Sequence, residues 1–197
     1  LWIGLAIFGL AIAWRLFQAR ELVLPAWVDS QHHYLIIKVV LEQHGLPQTL
    51  DPYLSTPFYY HYGFHAVTAF ITTLSGLEIS QVMLLLGQIL NAAIGLSIYA
   101  LGKTLFKDWR PALGAALLVS FVTRMPAYYL TWGRYTLVTG LVLLPLAMSV
   151  AINLLDGKNK IRGTLTLALL TGALLLSHYF ASRQLGLFLF IIKVVFL

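Results

Sequence analysis

The stretch Tyr62-Gly63-Phe64-His65-Ala66-Val67-Thr68-Ala69-Phe70-Ile71-Thr72-Thr73-Leu74-Ser75 is apolar enough to enter a bilayer and short for crossing one. A helix needs roughly 20 apolar residues to traverse the hydrocarbon core, and this run carries His65, Thr68, Thr72 and Thr73. Whether it crosses decides which side every later residue faces. Lys103, Lys107 and Arg110 crowd one short loop, and Lys158, Lys160 and Arg162 crowd another. Cytoplasmic loops carry the excess of lysine and arginine, so both loops belong inside. If 62–75 crossed, a chain starting inside would place the Lys103 cluster outside. If it lies at the interface, residues 18–78 form one large external region and both basic loops fall inside. The chain is therefore read as N-in, with external residues at 18–78, 124–135 and 182–184.

Composition agrees with a membrane protein. Of 197 residues 59% are hydrophobic and 10% charged, with a mean hydropathy of +0.83, whereas soluble domains carry about 25% charged residues. The expected spans are 1–17, 79–102, 111–129, 136–155, 163–181 and the start of a sixth at 185–197. The fold class is thus an all-α polytopic membrane protein of about six transmembrane helices, with juxtamembrane helices in its first external loop. The first segment has no basic n-region and no clear small-residue cleavage site, so it is a span and not a signal peptide. The net charge of +6 comes from lysines and arginines that flank spans and meet lipid head groups, and implies no nucleic acid. There is no cysteine, hence no disulfide framework or thiol chemistry. Both ends are apolar, Leu1-Trp2-Ile3-Gly4-Leu5 and Ile191-Ile192-Lys193-Val194-Val195-Phe196-Leu197, so the sequence is expected to be the N-terminal part of a longer protein.

On this topology all six histidines and five of the seven carboxylates fall on one side of the membrane. The external region should hold two interfacial helices, 30–44 and 61–75. Asp29 or Ser30 can cap the first and Gly45 end it. Its wheel puts Gln31, Lys38 and Glu42 on one face and Asp29, His33, Ile36, Val40 and Leu41 on the other, as an amphipathic interfacial helix requires. Pro47, Pro52 and Pro57 punctuate the loop that follows. His61, His65, Thr68 and Thr72 then recur at i, i+4, i+7 and i+11.

Several of these residues could carry chemistry. Asp29, among Trp27, His32, His33 and Tyr34, suits a general base; it equally suits a helix cap, and the roles are compatible. His61 and His65 share a face, as helical metal ligands do, but no His-Glu-x-x-His pattern accompanies them. Hydrogen bonding to neighbours or contact with a phosphate are the other readings. Arg134, between Trp132 and Tyr135, has the planar fork that grips phosphate, or is a span-flanking arginine, with Arg124 ten residues earlier. His178-Tyr179 ends the fifth span on the same side, closing a cavity or anchoring the interface. Gln81, Gln88 and Asn91 are read as helix–helix hydrogen-bonding groups. Asp51 and Glu78 complete the external acids of interest.

The pattern resembles the GT-C superfamily of membrane glycosyltransferases, which includes protein O-mannosyltransferases and aminoarabinose transferases. The carriers are Asp29 after the first span, Thr56-Pro57-Phe58-Tyr59-Tyr60 running on to Leu74-Ser75-Gly76, and the second-span end Ile94-Gly95-Leu96-Ser97-Ile98-Tyr99-Ala100-Leu101-Gly102-Lys103-Thr104-Leu105-Phe106. Most of 1–181 is covered. The resemblance implies a polyprenyl-phosphate-linked sugar donor reached from the membrane, and a glycan, lipid or protein acceptor. It implies inverting transfer on the extracytoplasmic face of a prokaryotic plasma membrane. Asp29 would take the proton from the acceptor hydroxyl. Arg134, with His61, His65, His33, Tyr60 and His178, would bind the donor phosphate or substrate. No cofactor is expected. Ser30 stands where many relatives have a second acid, and 124–135 lacks the carboxylate some metal-dependent relatives use, which argues against a divalent metal while leaving room for one.

Two other classes fit the spans. A transporter or lipid flippase would also line a cavity with polar groups, but places ionisable residues near the midplane on broken helices. A non-catalytic membrane subunit of the same fold would fit the missing carboxylate.

Overall fold

A computed structural model of the protein describes residues 2–157 and 160–196; Lys158 of the second basic cluster lies outside the described residues, as do Leu1, Asn159 and Leu197. Among the described residues the regular structure is all-α apart from one small hairpin. Among those same residues five segments are long and apolar enough to cross a membrane: Trp2–Ala19, Ile79–Phe106, Trp109–Thr131, Tyr135–Leu155 and Lys160–Ser177.

In chain order α1 is Trp2–Ala19, α2 Val28–Glu42, α3 Gly63–Ser75, α4 Ile79–Phe106 and α5 Trp109–Leu117. A π-helical turn, Leu118–Val122, extends α5; then come α6 (Ala127–Thr131), α7 (Tyr135–Leu155), α8 (Lys160–Ser177) and α9 (Tyr179–Phe196). Helix α4 is the centre, packed by α1, α5 and α7, while α8 and α9 pack on α7. Three apolar clusters hold this together. Ile7, Tyr99, Ala112 and Ala116 join α1, α4 and α5. Leu144, Ala147, Leu174, Ala181 and Leu185 join α7, α8 and α9. Ile37, Phe64, Met83 and Val138 pin α2 and α3 to α4 and α7. The last cluster matters most for the site, because it fixes the two short helices rigidly on the bundle end.

Helix α3 shows why it is not one of the crossing segments. Its 13 residues extend about 20 Å against a hydrocarbon core of about 30 Å. Gly76, at φ 68, ends it in a left-handed cap whose N–H bonds to Thr72 O. Three of its four hydroxyls turn inward on its own backbone: Thr68 donates to Phe64 O at 2.8 Å, Thr73 to Ala69 O at 3.0 Å and Ser75 to Ile71 O at 2.8 Å, whereas Thr72 Oγ1 is buried without a partner.

Two ion pairs mark opposite ends of the bundle. Lys107 Nζ lies 2.8 Å from Asp156 Oδ2, joining the C-terminal ends of α4 and α7. Arg134 Nε lies 3.4 Å from Asp29 Oδ2, joining the N-terminal end of α7 to that of α2. Since α4 runs between the two ends, Asp29 and Lys103 sit at different ones.

The boundaries differ from expectation in ways the packing explains. Helix α2 starts at Val28, so Asp29 is not its cap: Trp27 holds that position at φ 72, without a side-chain cap bond. Gln43 ends the helix, with Gly45 N reaching back to Val40 O at 3.2 Å. His61 precedes α3 and is not part of its stripe. The third span does not run unbroken over 111–129. It is α-helical only to Leu117, widens through the π turn, and breaks before α6 as Thr123 Oγ1 bonds Met125 O and Pro126 follows. The fifth helix ends at Ser177, and 182–184 lie inside α9, not in a loop. That break sits at His178 because Gly63 of α3 packs against Leu176 and Ser177 while Gly140 of α7 packs against His178 and Ala181. The proline-punctuated loop forms an antiparallel hairpin, β1 (Thr49–Leu50) with β2 (Leu54–Pro57).

Candidate functional site

The site begins with backbone geometry. Trp27 at φ 72 turns the chain into α2; a non-glycine residue at positive φ is a conformational cost that functional sites often hold. Ser30 secures the turn, its N–H donating to Trp27 O at 3.2 Å and its hydroxyl to Ala26 O. Asp29 thus stands in the first helical turn, where the helix dipole favours a carboxylate, with both oxygens free of capping duty.

Gly133 brings the partner. It adopts φ +68, and a Cβ there would lie 2.6 Å from Ser30 N, 2.7 Å from Ser30 Oγ and 3.0 Å from Asp29 Cβ. Only glycine allows this approach of the Trp132–Arg134 turn to the start of α2. The turn is closed by Gly133 N to Leu130 O at 3.1 Å and Arg134 N to Tyr129 O at 3.0 Å. Arg134 then faces Asp29 with side chains half-exposed, so the pair is worth no more than about 1 kcal/mol. An incoming anion can displace it readily.

One turn on from Asp29, His33 is buried at 5% exposure. Its Nδ1 lies 2.8 Å from Nε2 of His65. Burial pushes His33 down to about 4 against the opposing pull of Asp29, and drives the fully buried His65 well below its usual value. Both rings are therefore neutral at pH 7, and one donates to the other. Tyr135 meets His33 edge-on at 5.9 Å and stacks on Phe64 at 5.1 Å. Tyr60 stacks on His61 at 3.9 Å, and its hydroxyl lies 3.4 Å from Thr136 Oγ1. Burial raises the Tyr60 phenol and lowers His61 to about 4, helped by neighbouring His178 and His33.

These elements surround a cavity of about 500 Å³. Asp29, His33, Tyr60, Arg134 and His178, all expected from sequence, line it together with His32 and Thr136. Leu50, Leu54 and Pro57 of the hairpin, with Leu35 and Phe58, supply apolar wall. The cavity therefore has a charged, hydrogen-bonding part and a greasy part, the profile of a site for an amphipathic ligand.

His61 and His65 stand behind that wall. Neither lines the cavity; His65 holds His33 in place, while His61 stacks under Tyr60 and meets His178 edge-on at 5.1 Å. Among the described residues no three His, Cys, Asp or Glu side chains converge as metal ligands would. Asp51 accepts from Thr49 Oγ1 at 2.7 Å and Ser55 Oγ at 2.8 Å, which lowers its carboxyl and makes it the clasp of the hairpin turn. Glu78 precedes α4, its N–H donating to Gln81 Oε1 at 3.2 Å. Asn91 Nδ2 donates to Pro126 O at 2.9 Å, a helix–loop tie. Gln88 instead lines a second cavity. Sequence reasoning missed Gly133, Thr136 and the hairpin wall. A glycine beside an arginine in Trp132-Gly133-Arg134-Tyr135 was the available signal for the first.

Compared with protein families, the chain matches over residues 1–197 the one described as Family of unknown function (DUF6541), and it belongs to that family. No curated protein matches it.

Proposed function

For this member of the DUF6541 family we propose a membrane glycosyltransferase that takes a sugar from a polyprenyl-phosphate-linked donor and places it on an acceptor hydroxyl. The observation that carries the reading is the Asp29–Arg134 pair at 3.4 Å, set in a half-polar, half-apolar cavity of about 500 Å³. It lies at the bundle end where α2 and α3 rest. With α1 and α4 crossing and the Lys103 end of α4 in the cytoplasm, that end faces outward, in a prokaryote across the plasma membrane.

The chemistry follows from the two side chains. Asp29 accepts the proton of the acceptor hydroxyl as that oxygen attacks the anomeric carbon. The bond between the anomeric carbon and the phosphate oxygen breaks, and its electron pair leaves with the phosphate. Attack opposite the leaving group inverts the anomeric centre. Arg134 turns from Asp29 to the phosphate, and its planar fork neutralises the charge that develops there. Leu50, Leu54 and Phe58 give the first isoprene units an apolar surface. His33, fixed by His65, borders Asp29 as a neutral ring. The acceptor is a glycan, lipid or protein hydroxyl.

The test is transfer of a labelled sugar from a polyprenyl-phosphate donor by membranes containing the full protein. Arg134→Gln is expected to lower kcat by about 10²-fold, the cost of losing one donor aimed at developing charge, with Arg134→Lys recovering part of it. Transfer unaffected by Arg134→Gln removes the arginine from the mechanism. Absence of transfer, with lipid movement across sealed vesicles in its place, supports the transporter reading.

A further inference from the structure

Arg15 has no place in the chemistry above, yet it is among the most deeply buried charged groups of the molecule. It lies near the C-terminal end of α1, 4% exposed. Its Nη2 donates to Ser120 O at 2.7 Å and its Nη1 to Gln18 Oε1 at 3.0 Å. The Ser120 carbonyl belongs to the π turn Leu118–Val122, after which the helix ends. Capping that end occupies one nitrogen. Nε remains buried with no hydrogen-bond partner.

Arg15 lines the second cavity, of about 600 Å³, and Arg124 lines it too. No carboxylate is among the lining side chains, and no ion pair among the described residues includes either arginine. A buried guanidinium without a counter-ion is costly, above all next to lipid. Beside Gln18, Gln88, Thr123 and Thr131, the lining has an aromatic flank suited to an acyl chain: Trp14, Phe121 and Tyr128 are 42%, 38% and 44% exposed. Ala26 and Tyr135 also border this cavity, whereas Asp29 and Arg134 border the other. Residues on either side of the Gly133 junction thus line different cavities, with no lining residue in common.

We infer that this second cavity binds the phosphate group of a membrane lipid through Arg15 and Arg124, separately from the Asp29 cavity. A phosphate supplies the missing negative charge and the acceptor oxygens that the arginine forks require. The aromatic flank takes the chain. The inference holds whether or not the Asp29 cavity transfers sugar.

The test uses the full protein in micelles of uncharged detergent and the fluorescence of Trp14, isolated as the difference between wild type and Trp14→Phe. Phosphatidate with brominated chains is the probe, with brominated diacylglycerol and inorganic phosphate as comparators. Phosphatidate is expected to quench Trp14 saturably. Arg124→Gln and Arg15→Gln should each raise the half-saturation concentration about tenfold or more, the loss of one charge-assisted contact. If Arg15→Gln does not fold, Arg124→Gln, which alters an exposed side chain, decides alone. Quenching unchanged by Arg124→Gln, or equal quenching by diacylglycerol, overturns the site. Competition by inorganic phosphate at the same concentrations as phosphatidate overturns the lipid assignment. Arg134→Gln should leave the Trp14 signal as in wild type; an equal loss there overturns the separation of the two cavities.

Discussion

Asp29→Asn is expected to leave the protein folded and to lower sugar transfer by about 10²–10⁴-fold, the range for loss of a general base. Folding should survive because Asp29 caps nothing: Trp27 holds the cap position of α2. The half-exposed ion pair with Arg134 contributes at most about 1 kcal/mol, and asparagine keeps the shape. Donor binding should persist or tighten slightly, since Arg134 no longer divides its attention. The signature is therefore a fall in kcat with KM for the donor nearly unchanged. Steady-state transfer with a labelled lipid-phosphate sugar, beside a thermal unfolding curve of the purified variant, separates the two effects. Wild-type kcat in Asp29→Asn protein takes the base role away from this residue.

Gly133→Ala should cost both stability and activity, for a geometric reason alone. The residue sits at φ +68, and its new Cβ would lie 2.6 Å from Ser30 N. That neighbour is backbone in the first turn of α2 and cannot swing aside as a flexible side chain would. The left-handed conformation costs an alanine roughly 1 kcal/mol, and forcing apart a packed junction adds about 1–3 kcal/mol. Relief means moving Trp132–Arg134 away from Asp29, which separates the pair that the proposed chemistry uses. Transfer is expected to fall by about 10²-fold, since misplacement on the order of 1 Å carries that penalty. Gly9→Ala is the control, because a Cβ in the middle of α1 meets nothing within 4 Å. Gly133→Ala protein with the melting temperature and activity of wild type would show that the junction is looser than its distances say.

What was legible in the sequence and what was not divides along physical lines. Span positions follow from hydropathy and length, which is why α4 and α7 fall close to 79–102 and 136–155. A 13-residue helix that opens on Gly63 and is closed by Gly76 announces itself as short. That Asp29, His33, Tyr60, Arg134 and His178 would share one cavity followed from placing them all at one membrane face. Contacts between distant segments carry no local signature. Ser177 meeting Gly63, which sets the bend at His178, is invisible to periodicity. So is the pairing of His33 with His65 across 32 residues, which leaves His65 outside the lining of the cavity. The N-cap was misplaced because Asp and Ser are preferred caps, whereas here Gly133 packs against Ser30 and fills that space. Arg15 and Ser120 lie 105 residues apart, and a single arginine near a span end reads as an ordinary flanking charge.

The proposed transfer requires Asp29 and the Lys103 end of α4 to face opposite compartments, with α3 resting at the interface. The chain contains no cysteine, so single cysteines report cleanly. Gln48→Cys, in the exposed approach to the hairpin, and Lys103→Cys, near the end of α4, are treated on intact cells with a membrane-impermeant thiol reagent. Labelling of Gln48→Cys at once, and of Lys103→Cys only after permeabilisation, is the predicted result. Labelling of both from the same side would contradict it.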